Sequence, residues 1–270
     1  MRHLLVVSSA ALAISLLTGR VSNAIAQGML LERGESGVAV SGGYYSTKDL
    51  SGFAGTVGYS FRGIVDLGVS VERSSVEGVR VAYQVPAQLL NASHGPTDYP
   101  RPENATTSGI TLAPRVAIHL RRPGQSASLV LHAAYERTWF GGWGSDIPYP
   151  IQPMFGKQAT IRYDAEESGT SLGAAIYGQF ALSGRTRIVP YAGYAWKRGE
   201  TTVSPRYLDD YHQTSSLFVF PVGAHVLFRG PSGMRVHVSP EAELETHGRS
   251  VFSVSTGIVM TRLPFIRHVR

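Results

Sequence analysis

The feature that most constrains this chain is a two-residue alternation whose polar half is small. From Phe53 the sequence reads FAGTVGYSFRGIVDLGVSV. Phe53, Gly55, Val57, Tyr59 and Phe61 alternate with Ala54, Thr56, Gly58, Ser60 and Arg62. Past Arg62-Gly63, Val65, Leu67, Val69 and Val71 alternate with Asp66, Gly68, Ser70 and Glu72. A period of two puts successive side chains on opposite faces of a β-strand. Two such runs across a Gly-containing turn predict a hairpin. A soluble hairpin would cover its polar face with Lys and Glu. Here that face is mostly Gly, Ala, Ser and Thr, which suits the crowded interior of a barrel whose apolar face meets lipid.

Charge and glycine content point the same way. Charged residues are 16% of the chain, against roughly 25% in soluble domains. Thirty of the 270 residues are Gly; Gly weakens strands in water but allows bends and tight interior packing. The net charge of +6 is scattered, with no nucleic-acid footprint. The absence of Cys excludes disulfides, zinc-thiolate sites, thiol nucleophiles and an acylated-Cys anchor.

The N-terminus predicts export. Arg2 and His3 precede an apolar run from Leu4 to Leu17, and Ala24-Ile25-Ala26 is a cleavage site. The run falls short of the ~20 residues that span a bilayer as a helix. Residues 1–26 are therefore read as a signal peptide cleaved after Ala26, and residues 27–270 as one barrel domain.

The alternation recurs over Gly37–Tyr45, Ile110–Leu120, Leu129–Trp139, Leu172–Leu182, Ile188–Trp196, Phe218–Phe228, Met234–Leu244 and Phe252–Met260. With the opening hairpin this predicts an all-β, antiparallel, up-and-down transmembrane β-barrel of about ten strands, within the range 8–12. The connections at Arg62-Gly63, Pro123-Gly124, Ser183 to Arg185 and Gly230 to Gly233 are tight. Those at 75–107, 140–168 and 197–215 read as long loops. Short periplasmic turns and longer extracellular loops are the asymmetry of such barrels. Phe61, Phe180 and Phe228 fall near the tight turns, and Tyr44, Phe53, Trp139, Trp196, Phe218 and Phe252 near the long loops, as two interfacial girdles require.

The signal peptide, the strand series and the segment Val189-Pro190-Tyr191-Ala192-Gly193-Tyr194 resemble the small outer-membrane β-barrel superfamily, the outer membrane protein A-like and W-like barrels. The resemblance covers nearly the whole mature chain. It implies a bacterial outer-membrane location, surrounding lipid and lipopolysaccharide, and handling by the barrel insertion machinery. Members end in a strand with a terminal Phe; here a tail follows Phe265.

The inward face carries Asp66, Glu72, Arg115, His132, Glu136, Arg187, His225, Arg235, His237 and Glu241, with His119, Lys197 and Glu243 in the same parity. Charges inside a narrow barrel must pair to survive burial, so a structural network is expected; a proton or solute path is the alternative. Asp210-Tyr211-His212 resembles the Asp-x-His pairing of omptin-family outer-membrane proteases, in which an Asp orients a His as general base. Asp210 and His212 are thus weak catalytic candidates in a loop without a convincing opposed acidic pair. Phosphate loops, zinc-histidine helices and a nucleophile elbow are absent, so no cofactor and no metal is expected. The sequence predicts a non-enzymatic envelope barrel with a mostly filled lumen, structural or binding an extracellular ligand through loops 75–107, 140–168 and 197–215. A narrow porin or small-solute transporter is the alternative, and a barrel-embedded hydrolase the next.

Overall fold

The computed structural model describes residues 30–32, 34–47, 50–79, 105–120, 126–146, 160–205, 210–230, 233–246 and 250–261. Ten antiparallel strands close into a barrel. They are β1 Gly37–Ser46, β2 Leu50–Phe61, β3 Val65–Val79, β4 Ala105–Leu120, β5 Ala127–Asp146, β6 Thr160–Gly178, β7 Thr186–Pro205, β8 Tyr211–Arg229, β9 Met234–Glu245 and β10 Ser250–Met260. After Gln179, β6 resumes for Phe180–Ala181 against β7. Each strand pairs with its sequence neighbours, and β1 pairs with β10 to close the ring.

The opening hairpin forms where the alternation places it. Arg62 and Gly63 both adopt positive φ (53° and 60°), and the Ile64 N–H donates to the Phe61 carbonyl at 2.9 Å. Positive φ at both central positions makes a type I′ turn, whose twist matches the flanking strands.

The register fixes the barrel's width. Stepping from Ser168 through Arg137, Leu112, Val71, Gly55, Gly42, Thr256, Val238, Val226 and Ile188 arrives at Phe180, twelve positions further along the same strand. Ten strands with that stagger tilt by about 40° and enclose a backbone cylinder of roughly 10 Å radius. Such a lumen is wide enough to hold long side chains and narrow enough to be filled by them.

Burial is inverted relative to a soluble protein. Phe53, Val57, Leu67, Val71, Ile110, Leu131, Ile176, Phe220 and Val254 are exposed, Phe53 by 68%, while Ser60 and Ser239 are wholly buried. An apolar belt of this extent is a lipid-facing surface, since soluble monomers do not carry one. Phe218 and Phe228 mark its edges on β8, ten residues apart in sequence, or roughly 25 Å along the axis at that tilt. Phe61, Phe180 and Phe228 lie exposed at one edge, and Tyr44, Phe53, Trp139, Phe218 and Phe252 at the other, as expected.

The expected loops are corrected. Strand residues occupy 75–79 and 105–107, 140–146 and 160–168, and 197–205 and 211–215. The reason is a reversal of polarity above the bilayer. There Arg198, Glu200, Thr214 and Ser216 point outward and are exposed, while Phe140, Ala165, Val203 and Leu217 point inward and are buried. Beyond Trp196, β7 rises nine residues to Pro205, roughly 20 Å clear of the lipid edge. The wall is tall over β4–β8 and low at β1, β2, β9 and β10. The signal peptide, Gln27, loop residues 80–104, 147–159 and 206–209, and the tail containing Phe265 lie outside the described residues.

Candidate functional site

The lumen is polar through its middle, and the chain's N-terminal segment lies at one mouth. Near the mouth end of β3, Asp66 Oδ2 meets His119 Nε2 at 2.7 Å. Further up, Arg115 Nη2 donates to Glu72 Oε1 at 3.4 Å. Both pairs join neighbouring strands, β3 and β4. Lys197 Nζ lies 3.8 Å from Glu243 Oε2, and Glu167 is within electrostatic reach of Glu136 and Lys197. These groups are all buried, as the pairing argument requires.

A second polar group lies on β6–β9. The Tyr191 hydroxyl donates a short hydrogen bond to Glu241. Its ring stacks on Tyr177 at 5.0 Å and on His225 at 4.9 Å. His225 Nδ1 and His237 Nδ1 share the Ser239 hydroxyl, at 2.5 and 3.0 Å.

A packing rule organises these side chains. Tyr45, His132, Phe140, Tyr191 and His237 each point inward opposite a glycine in directly paired register: Gly52, Gly173, Gly109, Gly223 and Gly257. In each pair the ring covers the bare glycine so closely that an added Cβ would approach it to 2.9 Å or less. The glycines therefore make room for rings to lie flat on the wall.

The mouth is occupied by the chain's own N-terminal segment. Leu30 and Leu31 are buried with Ala39, Val130, Tyr177, Val189 and Leu227. The Gly34 N–H donates to the Arg62 carbonyl at 3.0 Å, and the Arg62 N–H to Ser36 Oγ at 2.9 Å, tying the segment to the β2–β3 turn. Arg235 donates to the Leu30 carbonyl at 2.9 Å and to Glu35 Oε2 at 2.7 Å. Glu32 Oε1 is approached by Arg229 at 2.5 Å, Arg187 at 3.5 Å and Arg235 at 3.9 Å. Burial works against the Glu35 carboxylate, but the Glu32 N–H and Arg235 outweigh it and hold its pKa below the ordinary value.

The structure distributes the sequence-predicted residues over these sites. Asp66, Glu72 and Arg115 form close pairs; His132 and Glu136 line the same polar middle; His225, His237 and Glu241 belong to the aromatic group. Arg187 and Arg235 serve the mouth, and Arg187, 46% exposed, reaches Glu32 rather than a charge in the lumen. Sequence reasoning missed Glu32, Glu35, Glu167, Tyr177, Tyr191 and Arg229. Tyr177 and Tyr191 share the inward parity of their strands, a signal that a charge-only search passes over. Glu167 fell in a segment read as loop.

Asp210 and His212 are both exposed. His212 is exposed on the outer wall of β8, and its Nδ1 is hydrogen-bonded to Thr202 Oγ1 at 3.0 Å.

No protein-family model matches the chain, and no curated protein does. Among solved structures it is similar to the translocator domain of the autotransporter NalP from Neisseria meningitidis, at 10% identity and TM-score 0.47, over 85% of this chain and 88% of that one. It is also similar to the outer membrane protease OmpT from Escherichia coli, at 10% identity and TM-score 0.44, over 84% and 93%. For the β domain of the Bordetella autotransporter BrkA the values are 11% and 0.46, over 86% and 100%. Likenesses this distant carry no functional argument. The closed barrel, its lipid-facing belt and its paired girdles are the architecture of a transmembrane β-barrel.

Proposed function

We propose that the chain is a non-conducting envelope barrel that acts through the wall it raises above the membrane. The observation that carries this is the burial of polar and charged side chains inside the barrel. Glu72, His225, Ser239 and Thr111 are almost fully buried in the membrane-spanning part, and Leu30 and Leu31 occupy the periplasmic mouth. Paired long side chains, and rings lying on the wall of a ten-stranded cylinder, support a lumen without a continuous water path.

The part offered to partners is then the outer face of β4–β8. Its outward residues are polar and charged, among them Arg198, Glu200, Thr214 and Ser216. Residues 80–104, 147–159 and 206–209 connect these strands and are the natural place for an extracellular ligand. The apolar belt takes outer-membrane lipid and lipopolysaccharide, and the insertion machinery is the partner during assembly.

Liposome swelling with small sugars tests this reading. Proteoliposomes should swell no faster than empty vesicles. Size-dependent swelling would favour a solute pore.

A further inference from the structure

The geometry points to a binding site for a small polycarboxylate at the periplasmic mouth, with Glu32 as a built-in competitor for it. A shallow cleft open to solvent is lined by Arg185, Arg187, Arg229 and Arg235 together with Leu30, Val189 and Leu227. Three of these guanidiniums converge on one oxygen, Glu32 Oε1. The only other carboxylate held there among the described residues is Glu35, on Arg235. Four cations thus line the cleft against two carboxylates, and the excess is positive.

Guanidinium forks bind carboxylates two N–H groups at a time. A single Glu32 oxygen shared three ways leaves donors turned to the cleft. A ligand bearing two or three carboxylates on a short frame would use those forks from the solvent side. The forks are reachable: the Arg187 and Arg229 side chains are 46% and 49% exposed, and Glu32 is 45% exposed. Glu32 can therefore swing out while Leu30 and Leu31 keep the segment docked. The site is independent of whether the barrel conducts.

The test uses the full mature chain folded in detergent micelles. Citrate and acetate are titrated calorimetrically into the parent, Glu32→Gln, the double variant Arg187→Gln with Arg229→Gln, and Arg62→Gln. Arg62 lies at the same end but does not line the cleft. Unboiled gel migration establishes that each variant is folded. Citrate should bind and acetate should not. Removing the internal competitor with Glu32→Gln should tighten citrate by about five-fold or more, because the competent fraction of sites rises. The double variant should lose binding, and Arg62→Gln should leave it within about two-fold, as expected for a charge without a direct contact. The proposal is overturned if neither the parent nor Glu32→Gln binds citrate. It is equally overturned if Glu32→Gln leaves the affinity unchanged, or if Arg62→Gln weakens it as much as the double variant does.

Discussion

Tyr191 and Glu241 stand on strands that do not pair, yet they are hydrogen-bonded to each other over Gly223. In register, Gly223 of β8 is the direct partner of Tyr191 on β7 and of Glu241 on β9. With no side chain between them, the Tyr191 ring lies across the glycine and its hydroxyl reaches the carboxylate. One missing Cβ thus couples three strands and supplies a buried carboxylate with a donor.

Gly223→Ala should therefore destabilise the barrel. The new Cβ would sit 2.6 Å from the Tyr191 hydroxyl and 2.7 Å from the Pro240 carbonyl, and backbone cannot step aside as a side-chain tip can. A cost of about 1–3 kcal/mol is expected from overpacking. Tyr191→Phe keeps the ring and leaves Glu241 one donor short, for about 1–3 kcal/mol. Urea unfolding in detergent measures both. Wild-type stability in Gly223→Ala would show that the ring does not lie on the glycine.

The register predicts opposite responses at adjacent positions of β3. Val69 faces lipid, and Val69→Arg should cost ~2–4 kcal/mol if it lies near the bilayer midplane. Ser70 is buried and hydrogen-bonded to Thr56 at 2.8 Å. A lumen position would tolerate a charge wherever a partner is available, but the packing around Ser70 leaves no room for an arginine. Ser70→Ala should be mild, at about 1 kcal/mol, and Ser70→Arg severe. A Val69→Arg cost no larger than that of Ser70→Ala would contradict the assigned faces.

Much of this was legible in the sequence, and the failures have one physical cause. Residues 53–71 announce their faces because lipid demands apolar side chains at every second position and a narrow lumen demands small or paired ones. Above the bilayer that contrast disappears. The outward side of β7 at Arg198, Glu200 and Thr202 meets water, and the inward side at Val203 is apolar, so the strand read as loop. The mouth was invisible for another reason: Glu32 finds Arg229 only after the barrel closes, across 197 residues of sequence. Pairs such as Asp66 with His119 lie on adjacent strands of predicted parity, so their partnership was within reach of pattern alone.

Docking of the N-terminal segment should depend on pH. Glu35 has a depressed pKa in the folded state, so its contribution is complete above its ordinary value of 4.5 and is lost as the pH falls through the folded value. Because the chain has no Cys, an environment-sensitive dye on Met29→Cys reports docking cleanly. The signal should be constant around neutrality and fall in acid. Glu35→Gln should show weakened docking at neutral pH and a flatter acid profile. An unchanged acid transition in Glu35→Gln would assign the effect to another group.

Export should leave Gln27 as the first residue, placing Leu30 close to the new terminus and free to enter the mouth. Intact-mass measurement of the protein from outer-membrane fractions checks this. A mass that includes residues 1–26 would remove the cleavage site from the account.

The central claim is that this barrel crosses the membrane with its lumen filled, and single-channel recording in planar bilayers tests it most directly. The intact protein, at a concentration giving verified insertion, should show no stable conductance steps above those of the bare bilayer. Stable, repeatable channels would contradict the filled lumen, and their loss on changing Arg115 or Glu136 would locate the constriction of an open pore.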